Sequence, residues 1–92
     1  NAFSRQSEYL AGLVQQGIDK QMQSLDLKNR GVKQGGFWVL VGATMPNILV
    51  ETGFLSNAYD LKILKTSSYQ YKMANGIFEG LKHYKRDYES TI

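Results

Sequence analysis

Apolar residues Leu10, Leu13, Val14, Ile18, Met22 and Leu25 recur at intervals of three and four, with Arg5, Gln6, Gln15, Gln16, Asp19 and Gln23 facing away from them. This is the spacing of an amphipathic helix with one buried stripe, and it predicts a helix over residues 4–25. A polar connector occupies residues 26–36, punctuated by Gly31, Gly35 and Gly36. The period then changes. Residues 37–41 (Phe-Trp-Val-Leu-Val) form a short aromatic and β-branched run bounded by glycine, which reads as a strand. After a break at 42–46, residues 47–51 (Asn-Ile-Leu-Val-Glu) read as a second strand. Its apolar centre does not alternate with polar positions, so burial on both faces is expected. The short break is too brief for a parallel crossover, and direct pairing of the two strands would be antiparallel.

Helical spacing returns beyond Gly53. Asn57 is placed to cap a short helix through Leu64, with Asp60 at its third position. Ser67 followed by Gln70 is the same signature for a last helix, which would bury Tyr69, Met73, Ile77, Leu81, Tyr84 and Tyr88. The expected fold class is therefore α/β: a partial layered sheet with helices on both faces, in the order helix-strand-strand-helix-helix. Two strands bury little by themselves, and a strand apolar on both faces needs further neighbours. The expected fold is thus incomplete without an N-terminal half, and a chain that starts at Asn1 with no methionine fits a processed or truncated piece.

Composition narrows the class. Of the 92 residues, 42% are hydrophobic and 21% charged, a globular balance rather than a disordered one. With no cysteine, neither a disulfide framework nor a thiolate metal site can staple the chain. The formal charge of +3 is mildly basic and falls short of the dense stripe that argues for nucleic acid. No apolar run approaches the roughly 18 residues of a membrane span, and the polar first residues do not form a signal peptide.

The segment that carries chemistry is residues 45–57. An apolar run delivers one carboxylate, Glu51, at its C-terminal end, and Thr52 and Gly53 then turn the chain. In open α/β sheets the rim at the strand ends is where ligands bind. On periodicity alone, a solvated rim residue remains the default reading of Glu51.

Residues 46–57, Pro-Asn-Ile-Leu-Val-Glu-Thr-Gly-Phe-Leu-Ser-Asn, closely resemble the signature of the zinc-dependent N-acetylmuramoyl-L-alanine amidases (amidase type 3), which cut peptidoglycan. Residues 29–33 (Asn-Arg-Gly-Val-Lys) resemble the family's Arg-Gly-Val-Lys element, and residues 37–40 the strand after it. Asp60 and Leu64 fit the helix after the signature. Tyr69, Gln70, Ala74, Ile77, Gly80 and Tyr84 fit the terminal helix. The resemblance implies that residues 1–92 are the C-terminal half of an amidase catalytic domain. It implies a zinc ion held by two histidines and a glutamate in the N-terminal half. It also implies that Glu51 matches the glutamate that works on the zinc-bound water, as general acid/base. The implied substrate is peptidoglycan, and the implied location is the bacterial cell envelope, periplasmic or extracellular.

The chain departs from the family in its metal site. Its single histidine, His83, stands on the last helix beside Lys82 and Lys85, and no histidine–glutamate pair with ligand spacing exists. The chain alone is expected to bind no zinc tightly and to cleave nothing. Val41-Gly42 also departs, where many relatives carry a charge.

Trp38 and Phe37 could stack on sugar rings but read first as core or half-buried strand residues. Arg30 and Lys33 could meet muropeptide carboxylates or fix the connector, and Lys82, Lys85 and Arg86 read as a solvated helix end. Two other functions compete with the enzyme. One is a metal-free module on the amidase fold that only docks on peptidoglycan or a partner. The other is a small nucleic-acid-binding domain, resting on charge alone.

Overall fold

The computed structural model describes residues 3–23, 31–32 and 38–91. Three helices dominate them: α1 (Ser4–Gln21), α2 (Ala58–Leu64) and α3 (Ser67–Ser90). A 3₁₀ turn spans Trp38–Leu40. Among the described residues there is no strand, so the fold is all-α and the expected α/β sheet is overturned.

The physical reason lies in what a strand requires. Residues 38–41 and 47–51 have the side chains of strands, but a strand is stable only when its N–H and C=O groups enter a ladder with a neighbour. Trp38, Val39 and Leu40 close locally instead, with the Val41 N–H donating to the Trp38 carbonyl at 3.1 Å. Trp38 is 88% exposed, neither core nor half-buried. Residues 46–54 form an irregular strap. Ile48 and Val50 in it are half-buried while Leu49 is exposed, so the two-sided burial expected there is absent. Phe37, Leu25, Arg30 and Lys33 lie outside the described residues.

The helices adhere more closely to the sequence pattern. In α1, Leu10, Leu13 and Val14 are buried, and Met22 is buried just past its end. Asn57 caps α2, its Oδ1 accepting from the backbone N–H groups of Tyr59 and Asp60, both at 3.0 Å. The cap of α3 falls one residue before the expected Ser67: the Thr66 Oγ1 accepts from the Tyr69 N–H at 3.2 Å. Gln70 does not reach back to complete a box at its own helix, and donates instead to the Leu64 carbonyl at 2.9 Å, at the end of α2. Two helices thereby share one capping corner, satisfying groups that a helix terminus leaves bare.

α1 and α3 pack antiparallel. Tyr9 meets Tyr84, Val14 meets Gly80, Ile18 meets Gly76, and Met22 meets Met73. The contact is made by backbone. A Cβ added to Gly80 would stand 2.5 Å from the Val14 Cα, and one added to Gly76 would stand 2.7 Å from the Ile18 Cα. On the α1 side, a Cβ at Gly17 would meet the Gly76 carbonyl oxygen at 2.3 Å. This explains why Leu81 and Tyr88 are exposed, contrary to expectation. The buried face of α3 runs through Tyr69, Met73, Gly76 and Gly80, so it is chosen by close approach as well as by apolar area.

Candidate functional site

Glu51 sits on the strap, and the strap is tied down along its length. At its start, the Asn47 N–H donates to the Ser7 Oγ of α1 at 2.9 Å. Val50 packs against the buried cluster of Met22, Tyr69 and Met73, which Ile63 and Leu64 of α2 also join. The Tyr69 hydroxyl donates to the Thr52 carbonyl at 2.5 Å. The Phe54 N–H donates to the Asp60 Oδ2 at 2.9 Å. Asp60, expected to serve the cap of its own helix, is thus spent on the segment before it.

Between these anchors Glu51 is exposed. Among the described residues, none pairs with its carboxylate. The geometry therefore fixes the backbone on either side of Glu51 and leaves its side chain facing outward. The turn just beyond depends on Gly53, whose φ of +152° is one that L side chains rarely adopt. A Cβ there would also press the Leu64 Cδ1 at 3.3 Å. Gly53→Ala is expected to cost about 1–3 kcal/mol of stability from backbone strain, read as a lowered urea midpoint with an unchanged slope.

Tyr69 is buried, and its hydroxyl bonds to the strap one residue beyond Glu51. Burial, and then the charge of Asp60, raise its hydroxyl above the usual value near 10. A group whose pKa is raised on folding contributes stability that is fully present below the unfolded value and lost as pH rises through the folded one. Unfolding midpoints should thus be insensitive to this group from pH 7 to about 9, and fall above about 10. Tyr69→Phe should flatten that alkaline fall when the two proteins are titrated side by side.

The remaining candidates lie elsewhere. His83 Nε2 stands 3.4 Å from the Asp87 carboxylate, which also accepts from the Tyr9 hydroxyl, near the C-terminal end of α3. This cluster ties the start of α1 to the end of α3. Lys82 and Lys85 are exposed and pair with Glu79 and Glu89 on their own helix. A hollow of about 360 Å³ opens between α1 and α3, lined by Lys20, Glu79, His83 and Arg86 among others, and no residue of the strap borders it. Its position gives it no part in chemistry at Glu51.

Zinc, which the signature implies, finds no fit here. Among the described residues, no three of His, Cys, Asp or Glu come together to hold a metal. His83 is turned to Asp87, and no second histidine exists to join it. No step can be derived through a metal held by these residues. Sequence reasoning singles out Glu51 but passes over Tyr69 as core; a tyrosine on a buried stripe, where phenylalanine would pack as well, is the available signal.

Among the described residues, no helix is long and apolar enough to cross a membrane. No solved structure matches the chain significantly. Curated relatives do. The N-acetylmuramoyl-L-alanine amidase LytC of Bacillus subtilis is 39% identical over 74 residues, covering 80% of this chain and 15% of that protein. The N-acetylmuramoyl-L-alanine amidase AmiC of Escherichia coli O6:H1 is 43% identical over 61 residues, covering 66% of this chain and 15% of that protein. The sporulation-specific N-acetylmuramoyl-L-alanine amidase of B. subtilis is 40% identical over 60 residues, covering 65% of this chain and 24% of its own length. The chain thus spans less than a third of the length of each of these relatives. A family model described as N-acetylmuramoyl-L-alanine amidase matches residues 1–83, nearly the whole sequence, and the chain belongs to that family.

Proposed function

We propose that residues 1–92 are the C-terminal half of a peptidoglycan amidase domain, and that Glu51 is its proton-transfer group. The carrying observation is that Glu51 presents an exposed carboxylate from a backbone held on both sides, by Val50 packing and by the Thr52 carbonyl's bond to Tyr69. A general base must be fixed in position and open to the substrate, and this arrangement supplies both.

The reaction hydrolyses the amide between the lactyl group of N-acetylmuramic acid and L-alanine. Glu51 takes a proton from the attacking water as its oxygen bonds to the carbonyl carbon. It returns that proton to the departing nitrogen as the C–N bond breaks. The products are the muramic-acid carboxylate and a stem peptide with a free L-alanine amino terminus. Zinc in the complete domain would be held by residues outside this chain. The substrate places the enzyme at the bacterial cell envelope, periplasmic or extracellular.

The test uses the full-length protein, supplied with zinc, on purified peptidoglycan, and reads new L-alanine amino termini. Their appearance supports the amidase. A protein that sediments with the wall yet releases none is a binding module instead.

A further inference from the structure

We infer that Tyr69 is a positioning residue for Glu51, acting through its hydroxyl's bond to the backbone of Thr52. The inference rests on the proposed role of Glu51.

Packing alone does not call for a hydroxyl at this position. Tyr69 is only 6% exposed, and its ring lies in a cluster with Met22 and Met73, where a phenylalanine would bury the same surface. Placing a hydroxyl there is costly unless it is bonded. The bond it makes is to the Thr52 carbonyl, one residue beyond Glu51 in the chain. On the other side of Glu51, Val50 rests on the cluster that contains Tyr69. The Tyr69 hydroxyl on one side and the cluster that holds its ring on the other therefore support the two neighbours of the carboxylate.

The chain immediately after Thr52 makes this support necessary. Gly53 is the residue least able to resist backbone rotation, and the next fixed point is the Phe54 N–H on Asp60. Without the bond at Thr52, the peptide between Val50 and Phe54 can turn about Gly53 and carry Glu51 with it. A misplacement on the order of 1 Å at a proton-transfer group can cost up to about a hundredfold in rate. Tyr69 itself does not touch the reacting atoms. It aims the group that does.

The experiment compares full-length wild type, Tyr69→Phe and Ile77→Val on purified peptidoglycan, with rates normalised to folded protein. Ile77 packs on the same cluster and makes no bond to the strap, so its truncation reports on stability alone. Tyr69→Phe is expected to lower kcat about tenfold with KM within about twofold of wild type. Ile77→Val should keep its kcat at a comparable drop in unfolding temperature. Amide exchange should quicken at residues 51–53 in Tyr69→Phe while the centre of α3 is unchanged. A Tyr69→Phe protein with wild-type kcat or unchanged exchange at 51–53, or an equal loss in Ile77→Val, overturns the inference and leaves the amidase reading intact. A wild type that releases no L-alanine termini removes the amidase reading itself, and the positioning role with it.

Discussion

Glu51→Gln in the full-length protein is expected to lower the release of L-alanine amino termini by about a hundredfold or more, the usual scale for loss of a general acid or base. Glutamine keeps the size of the side chain and loses the ability to accept a proton. The residue is exposed and makes no pair among the described residues, so the change should leave stability within about 0.5 kcal/mol of wild type. The two readouts must therefore separate: chemistry falls while the unfolding midpoint stays. A hundredfold loss corresponds to about 2.7 kcal/mol of transition-state stabilisation. Full activity in Glu51→Gln would show that proton transfer is performed by another group.

The second large effect concerns the helix pair. Gly80→Ala and Gly76→Ala each place a methyl group 2.5–2.7 Å from a backbone Cα of α1, and neither neighbour is a side-chain tip that can swing away. Alanine is intrinsically the better helix former by about 0.5–1 kcal/mol, but forcing two helices apart typically costs about 1–3 kcal/mol or more. The net change should be destabilising at both positions. Gly12→Ala provides the opposite case, because nothing lies within 4 Å of the added methyl group. It should stabilise by about 0.5–1 kcal/mol. Urea midpoints that moved the same way in Gly12→Ala and Gly80→Ala would refute the close crossing. Because Gly76 and Gly80 face one interface, their double substitution should not be additive.

Much of this is legible in the sequence, and the parts that are not share a cause. The apolar spacing of α1 and the Asn57 cap are local patterns, and the structure keeps both close to their predicted places, whereas Glu51, expected at the end of a strand, stands on an irregular strap. The two strands mislead because β-branched runs such as residues 37–41 record a preference for a sheet surface, whereas a strand exists only with a paired neighbour. The buried face of α3 reads toward Leu81 and Tyr88 because hydrophobic patterns give glycine no weight. Gly76 and Gly80 take that face by allowing approach. The Tyr69 bond to Thr52 joins residues 17 apart in sequence, a relation that no spacing rule contains.

The glycine crossing also determines what sliding can do. If α3 moved by one helical turn along α1, roughly 5.4 Å, a residue four positions away would replace each glycine at the contact. Tyr84 would be driven onto the backbone at Val14 in one direction, and Lys72 onto the backbone at Ile18 in the other. The flat places on α3 thus act as a key that admits one alignment of the pair. The strap is fastened to both helices, at Ser7 of the first and at Tyr69 of the second, and Val50 rests on the cluster that Met22, just past the end of α1, shares with Tyr69 and Met73. A slipped pair would stretch it, so the alignment of two helices and the location of one carboxylate are the same choice.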